Sequence, residues 1–254
     1  MKLISLAILA IGAALYALNS QAIEGGQDVL DNNPIKQSVV GVWNAPGQAW
    51  CTGSIVAPNT ILTAAHCVSE QTVQDTFIGF GVNLYGITPS KTEGVEVRWA
   101  SGFEIFPNYN ANGTKDRGDI ALIHFSGKIP SGYKPATFLA DPSLLVNNAK
   151  IVLAGYGVTN DFTDQINGIL RSTVVTVANQ KWSSTEVSLD QSLGHGACWG
   201  DSGGPAYILK NGIYYLWGVT CDGDGIHSPK FPCSQRSIYT DALPYKDWIT
   251  TNSI

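Results

Sequence analysis

The sequence predicts an all-β protein, and three observations support this fold class. Short runs rich in Val, Ile, Thr and aromatic residues recur along the chain between Gly, Pro, Asn and Asp residues. The 254 residues include 27 glycines and 12 prolines, with no repeat or low-complexity tract. Only the last segment has helical spacing. Many short strands separated by turn residues favour a barrel or sandwich over βαβ units.

The predicted elements follow in chain order. Strands are expected at residues 38–43, 53–57, 76–82, 94–100, 119–125, 150–154, 170–177 and 213–220. The polar, glycine-containing segment 178–198 is predicted as a long loop. A short C-terminal helix is expected over residues 243–251, because Leu243, Trp248 and Ile249 fall on one helical face.

The first segment predicts the cellular compartment. An apolar run covers residues 3–18, and the small residues Ser20 and Ala22 occupy the third and first positions before a possible cut. This pattern predicts a secretory signal peptide over residues 1–22. The alternative is a membrane anchor, but the run is shorter than the roughly 20 residues of a span. Cleavage leaves one domain, residues 23–254, secreted to the extracellular space or to a Gram-negative periplasm, where disulfides form.

Charge and metal-ligand spacing exclude several function classes. The net charge of −5 argues against a nucleic-acid partner, which requires a basic surface. The histidines and cysteines show no zinc-ligand spacing. Glu70 and Asp75 follow a histidine loop but supply fewer oxygens than the roughly six to eight of a calcium site. We therefore expect no metal and no cofactor.

Three residues can supply nucleophilic chemistry. His66 ends a strand-like run next to Cys67, and Asp119 opens a hydrophobic strand, where a buried carboxylate needs hydrogen bonds. Ser202 lies between glycines, which bring backbone N–H groups close to a substrate. A serine hydroxyl is a weak nucleophile unless a neighbouring base removes its proton. His66 can be this base when a carboxylate such as Asp119 orients it.

The chain resembles the chymotrypsin-like (trypsin-like) serine proteases over nearly all of residues 23–254. The motifs that carry this resemblance are Ile23-Glu24-Gly25-Gly26, Thr63-Ala64-Ala65-His66-Cys67, Asp119-Ile120-Ala121-Leu122, Gly155-Tyr156-Gly157, Gly200-Asp201-Ser202-Gly203-Gly204-Pro205 and Asp247-Trp248-Ile249. The chain order His, Asp, Ser is also that of the family. The resemblance implies two six-stranded antiparallel β-barrels with the active site between them.

The resemblance also assigns site residues. It implies His66 as general base and then acid, Asp119 as the residue that orients it, and Ser202 as nucleophile. The N–H groups of Gly200 and Ser202 then form the oxyanion hole.

The family forms a salt bridge between a new N-terminal amine and the aspartate before the nucleophile, here Ile23 and Asp201. No Lys or Arg precedes Ile23, so a trypsin-type activation site is absent there. We expect signal peptidase itself to create the active N-terminus, with a short propeptide as the alternative.

The five cysteines are an odd number, so one thiol in a secreted chain stays free or pairs between chains. The resemblance implies a Cys51–Cys67 disulfide. Cys198 has two possible partners, Cys233 and Cys221. Alignment of residues 216–219 with the strand before the pocket favours Cys233, which leaves Cys221 free inside that strand and inserts a loop at residues 224–232.

The resemblance locates the substrate pocket. Its floor position, six residues before the nucleophile, is Gly196, so a buried partner for Lys or Arg is missing and tryptic specificity is not expected. Gly223 and Ser237 set the pocket width. Asp222 stands where the family usually has tryptophan.

Two interpretations of this pocket remain. A neutral pocket for aromatic or aliphatic side chains is preferred, and a pocket in which Arg236 admits acidic residues is the alternative. Trp199 is expected to cover the pocket mouth or to pack against the neighbouring loop. Residues 112–114 form a glycosylation sequon, which has meaning in a eukaryotic source.

The resulting expectation is a secreted, monomeric serine endopeptidase of non-tryptic specificity that acts on protein or peptide substrates. It has no nucleic-acid partner, and no membrane contact after signal removal. A catalytically inactive homologue that binds a partner is the alternative from another class. A narrow processing or toxin-like protease is a third interpretation.

Overall fold

The computed structural model describes residues 23–44, 48–158, 168–223, 233 and 235–254. The predicted signal peptide and the predicted inserted loop at residues 224–232 lie outside this part of the chain. The strands within it are β1 (Gln27–Asp28), β2 (Val39–Asn44), β3 (Ala49–Ala57), β4 (Thr60–Thr63), β5 (Phe77–Phe80), β6 (Glu96–Ile105), β7 (Ala121–Phe125), β8 (Thr137–Phe138), β9 (Lys150–Gly155), β10 (Arg171–Asn179), β11 (Glu186–Asp190), β12 (Pro205–Lys210), β13 (Ile213–Gly223) and β14 (Arg236–Asp241).

Helical segments are short in the same residues. Three 3-10 helices cover Pro34–Gln37, Ala65–Cys67 and Pro142–Leu144, and one α-helix, α1, covers Lys246–Thr251. No helix among the described residues is long and apolar enough to span a membrane.

The first barrel closes in the strand order β2-β3-β4-β7-β6-β5, with antiparallel pairing throughout. Its interior contains an aromatic group in which Trp43 and Trp50 meet edge to face at 5.2 Å and Trp43 stacks on Phe77 at 5.8 Å. Gly41 is needed beside this group, because a Cβ there would lie 2.4 Å from a methyl carbon of Leu84. The tight interior holds the strand ends at fixed positions.

The second barrel consists of β9, β10, β11, β14, β13 and β12, and β9 closes it by pairing with both β10 and β12. Strands β1 and β8 extend the sheet by pairing with β10 and β13. Its core is a separate cluster that includes Leu153, Val175, Leu189 and Trp217. The expectation of two six-stranded antiparallel barrels with one short C-terminal helix is confirmed.

The prediction of a long loop over residues 178–198 is wrong. Strand β10 extends to Asn179, and β11 pairs with β10 and β14 inside this segment. Its sequence, Glu-Val-Ser-Leu-Asp, contains Glu and Asp, two residue types that are depleted in strands. Glu186 and Ser188 are nevertheless buried between the neighbouring strands, so tertiary packing overrides the local preference.

The C-terminal segment joins the two barrels. Helix α1 begins at Lys246, three residues later than predicted, since residues 243–245 form a turn. Phe106 of the first barrel meets Tyr245 and Trp248 edge to face at 4.8 and 5.6 Å. The segment after the last strand of the second barrel therefore packs on the first and helps to fix the cleft.

The cysteines follow the preferred pairing. Cys51 is bonded to Cys67 and Cys198 to Cys233. Cys221 is free and buried in β13.

Candidate active site

A cavity of about 310 Å³ lies where the two barrels meet. The first barrel contributes His66 and Arg117, and the second contributes the other lining residues. These are Ala197, Cys198, Trp199, Ser202, Thr220, Cys221, Asp222, Gly223, Cys233, Arg236 and Ser237. The predicted nucleophile, Ser202, and the predicted base, His66, therefore line the same cavity.

His66 and Asp119 are joined by two hydrogen bonds. Strand β4 leads into the 3-10 helix that contains His66, whose backbone N–H donates to Asp119 Oδ1 at 2.9 Å. His66 Nδ1 lies 2.7 Å from Asp119 Oδ2. Burial raises the pKa of Asp119, but the contacts with His66 outweigh it and lower the pKa below its ordinary value. An ionised carboxylate only accepts, so Nδ1 holds the ring proton and Nε2 is left as the basic nitrogen.

Asp119 is also held from the second barrel. Thr240 of β14 donates its hydroxyl to the Asp119 backbone carbonyl at 3.2 Å. The carboxylate is 1% exposed and lies just before β7. Its position thus depends on contacts with both barrels.

Ser202 lies in a loop of residues 198–204, called here the serine loop. Its carbonyl accepts the Thr52 N–H at 2.8 Å, and the Gly203 N–H donates to Thr220 at 2.8 Å. Gly203 has φ of +80°, and a Cβ there would lie 2.1 Å from the Thr63 hydroxyl oxygen. Only glycine fits beside Ser202, because the serine loop packs directly against the first barrel.

The N–H groups of Gly200 and Ser202 are oriented because the carbonyl on the other side of each peptide bond is itself held by a hydrogen bond. The Trp199 carbonyl accepts the Val158 N–H at 2.7 Å, and the Asp201 carbonyl accepts the Gly204 N–H at 2.8 Å. In a trans peptide the N–H points opposite to the carbonyl. The N–H groups of Gly200 and Ser202 are therefore fixed, and neither has an acceptor among the described residues.

Thr52 of β3 is a second anchor that sequence reasoning missed. Its hydroxyl donates to the Gly200 carbonyl at 3.0 Å and accepts the Tyr156 N–H at 3.1 Å. A threonine in a strand gives no local sign of such contacts, since its partners lie 148 and 104 residues away along the chain.

Asp201 is fully buried and directly precedes Ser202 in the serine loop. Its carboxylate accepts the Gly157 and Cys198 N–H groups, each at 2.9 Å. Burial raises the pKa of Asp201 to about 7, against the lowering effect of these bonds and of Arg171. A Cβ on Gly155 would lie 2.2 Å from the carboxylate, so the glycine pair 155 and 157 makes room for it.

Ile23, the predicted partner of Asp201, is 1% exposed and lies in the core cluster of the second barrel. Its nitrogen is part of a peptide bond to Ala22 in the full sequence and has no charge there. Its φ of +47° is uncommon for a β-branched residue.

Gln191 lies against the predicted pocket floor. A Cβ on Gly196 would lie 2.1 Å from the Gln191 carboxamide carbon. Gln191 donates to the Ala197 and Cys233 carbonyls and accepts the Ala197 N–H at 2.7 Å. All of these partners are backbone groups, so the buried amide fixes the floor. Ala197, the neighbour of Gly196, lines the cavity.

The remaining predicted pocket residues line the cavity directly. Trp199 is 58% exposed at its edge. The Ser237 hydroxyl is buried without a hydrogen-bond partner among the described residues. The Gly223 N–H donates to the Asp222 carboxylate at 2.8 Å.

Several known proteins have sequences related to this chain. The family model described as Trypsin matches residues 25–249. The mouse hepatocyte growth factor activator serine protease is 28% identical over 80% of the chain, which spans about a third (33%) of that protein. Hypodermin-B of Hypoderma lineatum is 25% identical over 95% of the chain and 91% of its own length. Rat chymotrypsin-like elastase family member 1 is 27% identical over 91% of the chain and 89% of its own length.

The family model covers most of the sequence, including both barrels and every segment of the cleft described above. The chain therefore belongs to the trypsin family of chymotrypsin-like serine proteases.

Proposed function

We propose that this chain is a serine endopeptidase in which Ser202, His66 and Asp119 form the catalytic triad. The observation that supports this most strongly is the pair of hydrogen bonds between His66 and the buried Asp119, at 2.9 and 2.7 Å. Ser202 and His66 line the same cavity. The substrates are peptide bonds of proteins or peptides, as for the family.

Acylation begins at the Ser202 hydroxyl. Its oxygen attacks the scissile carbonyl carbon while His66 Nε2 takes the hydroxyl proton. The buried Asp119 carboxylate stabilises the imidazolium that forms. Negative charge then develops on the carbonyl oxygen, where the N–H groups of Gly200 and Ser202 donate to it. Each such donor typically contributes about 3 to 4 kcal/mol to the transition state.

The tetrahedral intermediate collapses when the C–N bond breaks. His66 returns its proton to the leaving amine, and the acyl group remains on Ser202 as an ester. Water then attacks the ester, with His66 again as base, and releases the acid and the free serine. Protons balance because His66 accepts and returns one proton in each half of the reaction.

The mature protein in this proposal is residues 23–254, secreted after removal of the signal peptide at residues 1–22. Its new Ile23 amine would neutralise Asp201, whose buried carboxylate has no cationic partner within hydrogen-bonding distance among the described residues. N-terminal sequencing of the secreted protein is expected to begin at Ile23. Any other start immediately after signal removal contradicts signal-peptidase activation.

The proposed specificity is for neutral P1 side chains. Gly196 supplies no carboxylate at the floor, and the Gln191 amide beneath it is bonded to backbone. A pocket in which Arg236 admits acidic residues is the alternative, since Arg236 lines the cavity. Chromogenic peptides with Phe, Leu, Glu or Arg at P1 distinguish them. Fastest cleavage after Arg contradicts both.

A fluorophosphonate probe tests the catalytic assignment. Wild-type protein is expected to be labelled, and Ser202→Ala is expected to lose the label completely. Ser192→Ala is the matched control, because Ser192 is an exposed serine away from the cavity. A folded wild type that takes no label would instead indicate an inactive homologue with a binding function.

A further inference from the structure

Arg117 lies at the junction of the two barrels, in the segment between β6 and β7. The preceding Asp116 accepts hydrogen bonds from the Ser184 hydroxyl at 2.9 Å and the Thr185 N–H at 2.8 Å. The Arg117 N–H itself donates to Glu186 of β11 at 3.1 Å. This part of the first barrel is thus fastened to the second immediately before Asp119.

The Arg117 guanidinium lies directly behind the triad. Its Nη2 atom is 3.9 Å from Asp119 Oδ2, 3.1 Å from Asp222 Oδ2 and 3.0 Å from the Cys221 sulfur. The side chain is 18% exposed, while Asp222 is 57% exposed. One guanidinium therefore connects the triad aspartate to a carboxylate on the cavity wall.

The charge state of each of these groups is well defined. Arg117 is always a cation, because the guanidinium of arginine does not lose its proton in proteins. Burial and the neighbouring Asp119 raise the pKa of Cys221 well above its ordinary value, so the thiol is neutral. The cation is therefore balanced by two carboxylates of very different exposure.

The other titratable groups around Asp119 supply no second permanent cation. They are His66 from the 3-10 helix, Tyr109 from the segment after β6, Cys221 and Asp222 from β13, and Glu186 behind the Arg117 backbone. Burial, followed by Asp119, raises the pKa of Tyr109, so its phenol is neutral. Within the described chain, Arg117 is thus the one permanent positive charge in contact with Asp119.

We propose that Arg117 is a positioning residue whose charge weakens the hold of Asp119 on a protonated His66 ring, and that Asp222 limits this effect by sharing the guanidinium. The inference rests on the proposed triad. Stronger stabilisation of the Asp119 carboxylate by Arg117 weakens its hold on a protonated His66 ring. The expected consequence is that kcat/KM is retained to lower pH than it would be without the Arg117 cation.

The two partners are expected to act in opposite directions. Arg117→Gln removes the cation and should raise the midpoint of the acid limb of the kcat/KM profile by about 0.5 to 1 pH unit, less than a direct contact because Asp222 offsets part of the charge. Asp222→Asn leaves Arg117 to Asp119 alone and should lower the midpoint. Arg117→Lys retains the charge and should restore most of the wild-type profile.

The experiment combines kinetics with NMR. The pH profile is measured with an uncharged peptide substrate, and the His66 ring protons are titrated in a Ser202→Ala background that needs no activity. Arg98→Gln is the matched control, since Arg98 pairs with Glu96 and contacts Lys128. Equal urea midpoints for all variants show that the fold is intact.

Opposite shifts for Arg117→Gln and Asp222→Asn in the NMR titration support the proposal. Identical titrations in both variants and in Arg98→Gln overturn it. If Arg117→Gln fails to fold, the exposed Asp222→Asn still decides, because an unchanged or raised midpoint contradicts the proposal. If the wild type lacks activity while the NMR shifts occur, the proposed function fails and the electrostatic coupling stands.

Discussion

The burial of Asp201 predicts that cleavage before Ile23 changes how stability depends on pH. Two proteins are compared: one begins at Ile23, and the other begins one residue earlier, at Ala22. In the longer chain the Asp201 carboxylate meets only N–H groups at hydrogen-bonding distance, with a pKa of about 7. In the shorter chain the new amine is expected to pair with it and to lower that pKa.

The magnitude follows from the difference between the folded pKa of about 7 and the ordinary value of 3.8. A folded pKa above the unfolded one means that stability is greatest at low pH and falls as pH rises through the folded value. Above pH 7 the total loss approaches about 4 kcal/mol, and most of it, about 2.5 kcal/mol, occurs between pH 5 and pH 8. The chain that begins at Ile23 should show no such loss from Asp201.

Urea unfolding at pH 5 and pH 8 measures this difference, in a Ser202→Ala background that prevents self-cleavage. Groups common to both chains cancel on subtraction. Asp201→Asn is the control: it should remove the Asp201 contribution to the pH dependence of stability from both chains. Equal pH dependence in the two chains would refute the assignment of Asp201 as the partner of the new amine.

Three further predictions concern the framework of the site. Thr52→Val removes the hydroxyl that bonds both the Gly200 carbonyl and the Tyr156 N–H, so kcat/KM should fall about five- to tenfold and the unfolding free energy should fall by about 1 to 3 kcal/mol, because both backbone groups lose their partner. Gly196→Asp should fail to create cleavage after Arg and should lower the unfolding free energy by about 1 to 3 kcal/mol, because the Gln191 side chain occupies the space; faster cleavage of Arg chromogenic peptides would contradict this. Replacing both cysteines of the Cys51–Cys67 disulfide, which are 16 residues apart, with serine should cost about 3 kcal/mol in urea unfolding, whereas a loss under 1 kcal/mol would be unexpected.

Local sequence patterns were sufficient for the fold class and singled out His66, Asp119 and Ser202 as candidates, and the resemblance to the family assigned them the roles of the proposed triad. Alternating β-forming runs indicated the strands around His66 and Asp119, and the glycines around Ser202 marked a loop with a special backbone. Resemblance to the family then supplied the two-barrel architecture. These features are local or depend on short motifs, which is why one sequence could show them.

Contacts between the barrels could not be predicted in this way. Arg117 forms an ion pair with Asp222 across the cleft. The two residues are distant in sequence, because Cys221, the residue before Asp222 in β13, lies 104 residues after Arg117. The position of Gln191 could not be identified from the sequence, because strand β11, just before it, has a composition uncommon in strands. The positions of such residues are determined by tertiary packing, and no periodicity in the local sequence indicates that packing.

The most direct test of the proposed mechanism is the position of the acyl group in a trapped intermediate. The protein is mixed with p-nitrophenyl acetate, quenched in acid and mapped by peptide mass spectrometry. The acetyl group is expected on Ser202 and is expected to disappear in His66→Ala. Acetylation at another residue, or acetylation of Ser202 that is unchanged by His66→Ala, would contradict the triad.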